Sequence, residues 1–160
     1  MTIKVGDRVP STTLHHMTDS GPAEISSDAL FGGKRVAIFG LPGAFTPTCS
    51  AKHLPGFIEK SKEIGAKGVD TLACLSVNDV FVIGAWAEAQ GVGDKVLMLA
   101  DGNGEFSAAV GLDFDGSNFG MGVRSQRYAM IVEDGVVTHL AVEKPMAFEV
   151  SSAEAILQAL

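Results

Sequence analysis

The order of short apolar runs along the chain restricts its fold more than any other feature. From Lys34 to Gly40 the sequence KRVAIFG is short, apolar and rich in β-favouring residues, as a strand covered on both faces must be. VDTLACLSV at 69–77 and KVLMLA at 95–100 share that character, and each follows a segment with helical periodicity. Strand, helix, strand, helix, strand is the pattern of an α/β sheet with parallel neighbours. The first helical segment is predicted from about Pro47 to Gly65, where Leu54, Phe57, Ile58 and Ile64 gather on one face and Pro55 is expected to introduce a kink. The second, DVFVIGAWAEAQG, opens at an Asp79 cap and stops at Gly91.

Nearer the C-terminus, RYAMIVEDGVVTHLAV sets Asp134 and Gly135 between two apolar runs, a strong hairpin signal that makes the sheet mixed. Ser151, followed three residues later by Glu154 and then AILQAL, reads as a capping box opening a terminal helix. With 160 residues and neither an internal repeat nor a linker, residues 1–160 are expected to form a single α/β domain.

Charge narrows the partners. A net charge of −7 and basic residues scattered along the chain repel phosphate backbones and anionic lipid, so no nucleic-acid or membrane partner is expected. The N-terminus MTIKVGDRVP has no apolar stretch of signal-peptide length, and no later run approaches a bilayer span, so a soluble cytoplasmic protein is expected. Two cysteines are too few for a disulfide scaffold; any cysteine chemistry should be transient and catalytic.

The segment PGAFTPTCS, residues 42–50, lies between the first buried strand and the first helix. Thr46 suits the N-cap, Pro47 the first helical position, and Cys49 then falls in the first turn. There, unpaired backbone N–H groups and the positive end of the helix dipole favour the thiolate, which is the nucleophilic form. A catalytic thiol needs its anion stabilised by roughly 3 to 4 kcal/mol at neutral pH. A helix start supplies at most about 2 kcal/mol, so a second stabiliser is required, and a guanidinium near the sulfur fits best. The residues alone leave open which arginine it is. The Thr46 hydroxyl is expected to accept from the Cys49 backbone N–H and turn its proton toward the sulfur or a bound oxygen.

PGAFTPTC also matches the peroxiredoxin signature of proline, three residues, threonine, two residues and the reactive cysteine. With IFGLPGAFTPTCSAKHLPGF, GVDTLACLSVNDVFV and RSQRYAMIVEDG, nearly the whole chain resembles the type II branch of that family. The resemblance implies a thioredoxin-like fold, a central mixed sheet flanked by helices. It implies that Pro42 shields the site, Thr46 hydrogen-bonds the peroxide, Cys49 attacks it to give a sulfenic acid, and Arg127 stabilises the thiolate, with Arg124 the weaker candidate. The region matching the C-terminal resolving cysteine of some members holds Ser151 and Ser152, and Cys74 reads as a core residue rather than an obligatory resolver. Hydroperoxides, both hydrogen peroxide and alkyl hydroperoxides, are therefore the expected substrates. Recycling by glutathione and glutaredoxin, or by thioredoxin, a homodimer and no cofactor follow from the same resemblance. A non-enzymatic peroxide sensor signalling through Cys49 is the alternative.

Other signals fall away. DGNGE at 101–105 has Leu112 where a calcium loop needs a bidentate glutamate, and the four histidines lack metal-ligand spacing, so no metal is expected. The glycines at 91 and 93 and at 120 and 122 lack the rest of a dinucleotide fingerprint, and Gly33 with Lys34 lacks a P-loop frame. His53, one turn after Cys49, is placed where it could face the site and tune the thiolate, but it reads as a capped or packed surface histidine and stays outside the catalytic set.

Overall fold

A computed structural model describes residues 1–160. The apolar runs become the middle of a seven-stranded mixed sheet. β1 (Thr13–Thr18) and β2 (Gly21–Ser26) form an antiparallel hairpin at one edge, followed by the short helix α1 (Ser27–Phe31). β3 (Arg35–Leu41), β4 (Thr71–Ser76) and β5 (Leu97–Ala100) run parallel to one another. After α4 (Glu105–Ala109), β6 (Asp113–Asp115) and β7 (Val123–Ser125) make a separate small ribbon. The hairpin of β8 (Tyr128–Glu133) and β9 (Val136–Val142) completes the large sheet, with β8 antiparallel to β3. In its two-residue turn both Asp134 and Gly135 have positive φ, the requirement that makes this dipeptide a hairpin signal.

Strand alternation divides the interior in two. Ala37, Phe39 and Leu41 of β3, Leu72 and Cys74 of β4, and Ala129 and Ile131 of β8 face one core with Cys49, Leu54 and Phe57. Their neighbours Val36, Ile38, Ala73, Leu75, Tyr128 and Met130 face the opposite core, around Phe31 and Phe106. Gly40 is the single gap in the apolar run of β3: a Cβ there would lie 2.2 Å from Cε1 of Tyr128, its partner across the sheet. The ring occupies the space that a side chain at position 40 would take.

The helical segment after β3 begins at Pro47, as expected, and extends to Ala66. Its irregularity is at Cys49–His53, a widened π turn in which the Leu54 N–H reaches back five residues to the Cys49 carbonyl. Pro55 brings no N–H to continue the ordinary ladder, and the extra residue per turn is accommodated just before it. The regular part, α2 (Leu54–Ala66), follows. α3 (Val80–Ala89) is capped by Asp79, whose carboxylate accepts from the Val82 N–H. The terminal helix α5 (Ala153–Ala159) corrects the expected capping box by one residue. Ser152, not Ser151, accepts from the Ala155 N–H at 3.1 Å, because Ser151 is held elsewhere.

Candidate active site

The site forms where β3, β4 and β8 meet. Parallel strands β3 and β4 end together, and the loops leaving them are tied to each other. Asn78 Oδ1 accepts from the Ala44 N–H at 2.9 Å and from the Ser76 hydroxyl. Because β8 runs antiparallel to β3 and pairs Tyr128 with Gly40, the residue before β8, Arg127, arrives at the same end of the sheet as Pro42. Topology thus brings residues 42–49 and 127 together across some eighty positions of sequence.

Pro42 and Gly43 lead into a tight turn in which Phe45 adopts φ 63°, a left-handed conformation that is unusual for a bulky residue and marks a locally constrained backbone. Thr46 begins the helix with its backbone, its carbonyl accepting from the Ser50 N–H at 3.0 Å. Its side chain does not act as expected: the hydroxyl donates to the Gly43 carbonyl at 2.7 Å and makes no bond to the Cys49 N–H. The physical reason is proximity, since the turn folds the Gly43 carbonyl back over the helix start. Arg124, from β7, packs against this turn; its Nε–H donates to the Met121 carbonyl, and its Nη1 lies 3.0 Å from the position a Cβ would take at Gly43.

Cys49 lies in the first helical turn and has no exposed surface. Arg127 Nη2 donates to its sulfur at 3.1 Å, and Nη1 donates to His53 Nδ1 at 2.8 Å. The structure therefore pairs Cys49 with Arg127 and leaves Arg124 against the neighbouring turn at Gly43. No carboxylate lies within ion-pair distance of Arg127. The guanidinium also stands over the Phe148 ring, 5.9 Å from its centroid. Ser50, next to the cysteine, accepts from Trp86 Nε1–H at 3.0 Å, which fastens this turn to α3.

His53 is the residue that sequence reasoning set aside and the structure brings in. It is fully buried, one turn below Cys49, among Phe39, Phe57 and Phe148. Burial, and then the charge of Arg127, depress its pKa from 6.5 to about 3, while a bond from Nε2 to the Ser151 carbonyl at 2.9 Å opposes that slightly. The ring is neutral. The four-residue spacing from Cys49 was the available signal, but its partner Arg127 lies far away in sequence.

Cys74, on the same core face in β4, is a free and buried thiol. Burial pushes its pKa up, the nearby Cys49 adds to this, and Arg127 only partly offsets both. No group of histidines, cysteines or carboxylates in the chain is arranged to hold a metal ion.

With this geometry in view, the similarities to known proteins are decisive. Residues 4–157 match the Redoxin family. The chain is 51% identical to peroxiredoxin-2E-2, chloroplastic, of Oryza sativa subsp. japonica, with 99% of this chain and 73% of that protein aligned. It is 47% identical to peroxiredoxin-2B of Arabidopsis thaliana over 99% and 98% of the two chains. This chain is a type II peroxiredoxin. Among solved structures, reduced Prx3 of Vibrio vulnificus in complex with hydrogen peroxide superimposes with a TM-score of 0.95 and 51% identity, covering 99% of each chain. The architecture is accordingly the thioredoxin-like peroxiredoxin fold, and this peroxiredoxin is a thiol peroxidase. No helix is long and apolar enough to cross a membrane.

Proposed function

We propose that this peroxiredoxin reduces hydrogen peroxide and alkyl hydroperoxides with the Cys49 thiolate and is recycled by an external thiol. The observation that carries the reading is the 3.1 Å approach of Arg127 Nη2 to a sulfur seated in the first turn of a helix. Two stabilisers of an anion, a guanidinium and a helix start, converge on one atom. The complex of the Vibrio vulnificus relative with hydrogen peroxide supports the substrate class.

In the chemical step the sulfur pair attacks the nearer peroxide oxygen and the O–O bond breaks. Cys49 becomes a sulfenic acid, and the departing hydroxide or alkoxide takes a proton to leave as water or alcohol. Arg127 balances the charge that develops on the oxygens. Thr46 and Pro42 border the approach, the first as a hydroxyl able to face a bound oxygen and the second as a cover against water. A thiol, from glutathione with glutaredoxin or from thioredoxin, then condenses with the sulfenic acid, releasing water and forming a mixed disulfide that a second thiol reduces. Because Cys49 has no exposed surface, its turn must open before such a thiol reaches the sulfur. Cys74 is a core residue in this scheme, its thiol held protonated by burial.

The test is peroxide consumption by wild type, Cys49→Ser and Cys74→Ser, with glutathione plus glutaredoxin and, separately, thioredoxin plus its reductase. Loss confined to Cys49→Ser is expected. Full activity in Cys49→Ser would overturn the assignment, loss in Cys74→Ser would overturn the external resolver, and a single stoichiometric oxidation without turnover would favour a sensor. The exposed Phe45, Phe119 and Val123, on segments around the site, support a homodimer that covers them. Sedimentation velocity should return twice the 16.6 kDa chain mass for the reduced protein, and a monomer would contradict it. A cytoplasmic location is proposed from the two free thiols, checked by imaging a tagged protein in its own cells.

A further inference from the structure

Arg127 is attached to the fold in an unusual way. A guanidinium is usually oriented by a carboxylate, which also cancels most of its field. Here the only side-chain acceptors on Arg127 are the Cys49 sulfur and His53 Nδ1. Arginine has donors only, so Nδ1 must carry the lone pair and the imidazole proton must be on Nε2, where it donates to the Ser151 carbonyl. That carbonyl is itself fixed: the Ser151 N–H and hydroxyl both donate to Glu143 Oε2, at 2.9 and 2.7 Å, beside the N–H groups of Glu149 and Val150. The Glu143 N–H donates in turn to the Arg127 carbonyl at 2.9 Å. A closed ring of bonds therefore runs from the Arg127 backbone through Glu143, Ser151 and His53 to the Arg127 side chain.

Phe39, Phe57 and Phe148 surround the imidazole at centroid distances of 4.9, 5.6 and 5.0 Å, and the bonds at its two nitrogens fix its orientation among them. We propose that His53 is a positioning residue for Arg127: a neutral acceptor, fixed by the Ser151 carbonyl, that holds the guanidinium against the Cys49 sulfur without neutralising its charge. An aspartate or glutamate at this place would orient the arginine and weaken its effect on the thiolate at once. The inference rests on the reading of Cys49 and Arg127 as the reacting pair.

Its test reads the thiolate without peroxide. Site-resolved alkylation of Cys49 by iodoacetamide is followed at about pH 6 in wild type, His53→Phe and His53→Asn, alongside the second-order rate with hydrogen peroxide. His53→Phe keeps the volume and loses the acceptor, and both rates should fall about tenfold. In His53→Asn the amide oxygen falls near the place of Nδ1, and both rates should return to within about threefold of wild type. Wild-type alkylation in a folded His53→Phe protein would overturn the proposal. Should that variant not fold, 15N chemical shifts of His53 in the wild-type protein decide: a bare Nδ1 and a protonated Nε2 at neutral pH are expected, and a proton on Nδ1 would overturn it. A failure of the peroxidase reading appears as turnover by Cys49→Ser and leaves the alkylation result standing.

Discussion

At Arg127 the two donors of one planar group are committed to two different atoms, the Cys49 sulfur and the His53 nitrogen, 3.1 and 2.8 Å away. A lysine carries the same charge but as a compact ammonium on a flexible stem, and it cannot span both acceptors with fixed geometry. Arg127→Lys should therefore lower the rate with peroxide by about ten- to a hundredfold, the loss of one charge-assisted bond of about 1.5 to 3 kcal/mol, while thermal unfolding moves little. Stopped-flow peroxide reduction checks this, and an unchanged rate would mean that charge alone suffices. At this scale the sequence was informative wherever the cause was local. Cys49 could be placed from Thr46 and Pro47 because a helix start is written in consecutive residues. The Thr46 hydroxyl went elsewhere because the turn at Phe45 brings the Gly43 carbonyl within 2.7 Å of it, and nothing in the sequence marks a left-handed phenylalanine. Arg127 was reached only through resemblance, since no spacing rule connects it to position 49.

Among the elements, the three parallel strands and the last hairpin were legible because burial on both faces and an Asp-Gly turn leave a plain pattern. The β1–β2 hairpin and the small β6–β7 ribbon were not anticipated, since their strands are short, half-exposed and broken by polar residues. The helix carrying Cys49 was located correctly at its start, and its irregularity near Pro55 takes the form of a widened turn. A proline removes one N–H, and the chain can answer by bending or by widening the preceding turn. Packing of Leu54 and Phe57 into the core while Trp86 holds Ser50 from the other side favours the widened turn, and those contacts come from tertiary structure. The Ser151 and Ser152 pair makes the same point. Either serine satisfies the local capping pattern, and the choice is made by Glu143, whose carboxylate gathers residues 149–151, Ser151 among them, into a strap of residues 143–151 beside His53.

For the whole molecule, that strap and His53 make stability depend on pH in a definite direction. The folded protein holds His53 neutral down to about pH 3, whereas the unfolded chain protonates it near 6.5. Between those values the unfolded state binds the extra proton, so stability is complete above 6.5 and declines on acidification by about 1.4 kcal/mol per pH unit. Glu143 adds a second loss at lower pH. Burial alone would raise its pKa, but bonds from the Ser151 hydroxyl and N–H and from the Glu149 and Val150 N–H groups bring it below 4.5, so its contribution is present above that value and disappears as pH falls through the lower folded one. The windows separate the two groups. Urea unfolding of the reduced protein at about pH 7 and about pH 5.5 should show a loss of about 1.4 kcal/mol in wild type and less than half of that in His53→Asn, because of these two groups only His53 has its window in that interval. Equal wild-type stability at the two values would show that His53 is not held neutral. A proton added to Nδ1 would also place a cation against Arg127 and remove the acceptor that orients it. Acid should therefore loosen the Cys49 site and the fold through the same nitrogen, since the ring that positions the arginine is also part of the packing between α2 and the strap.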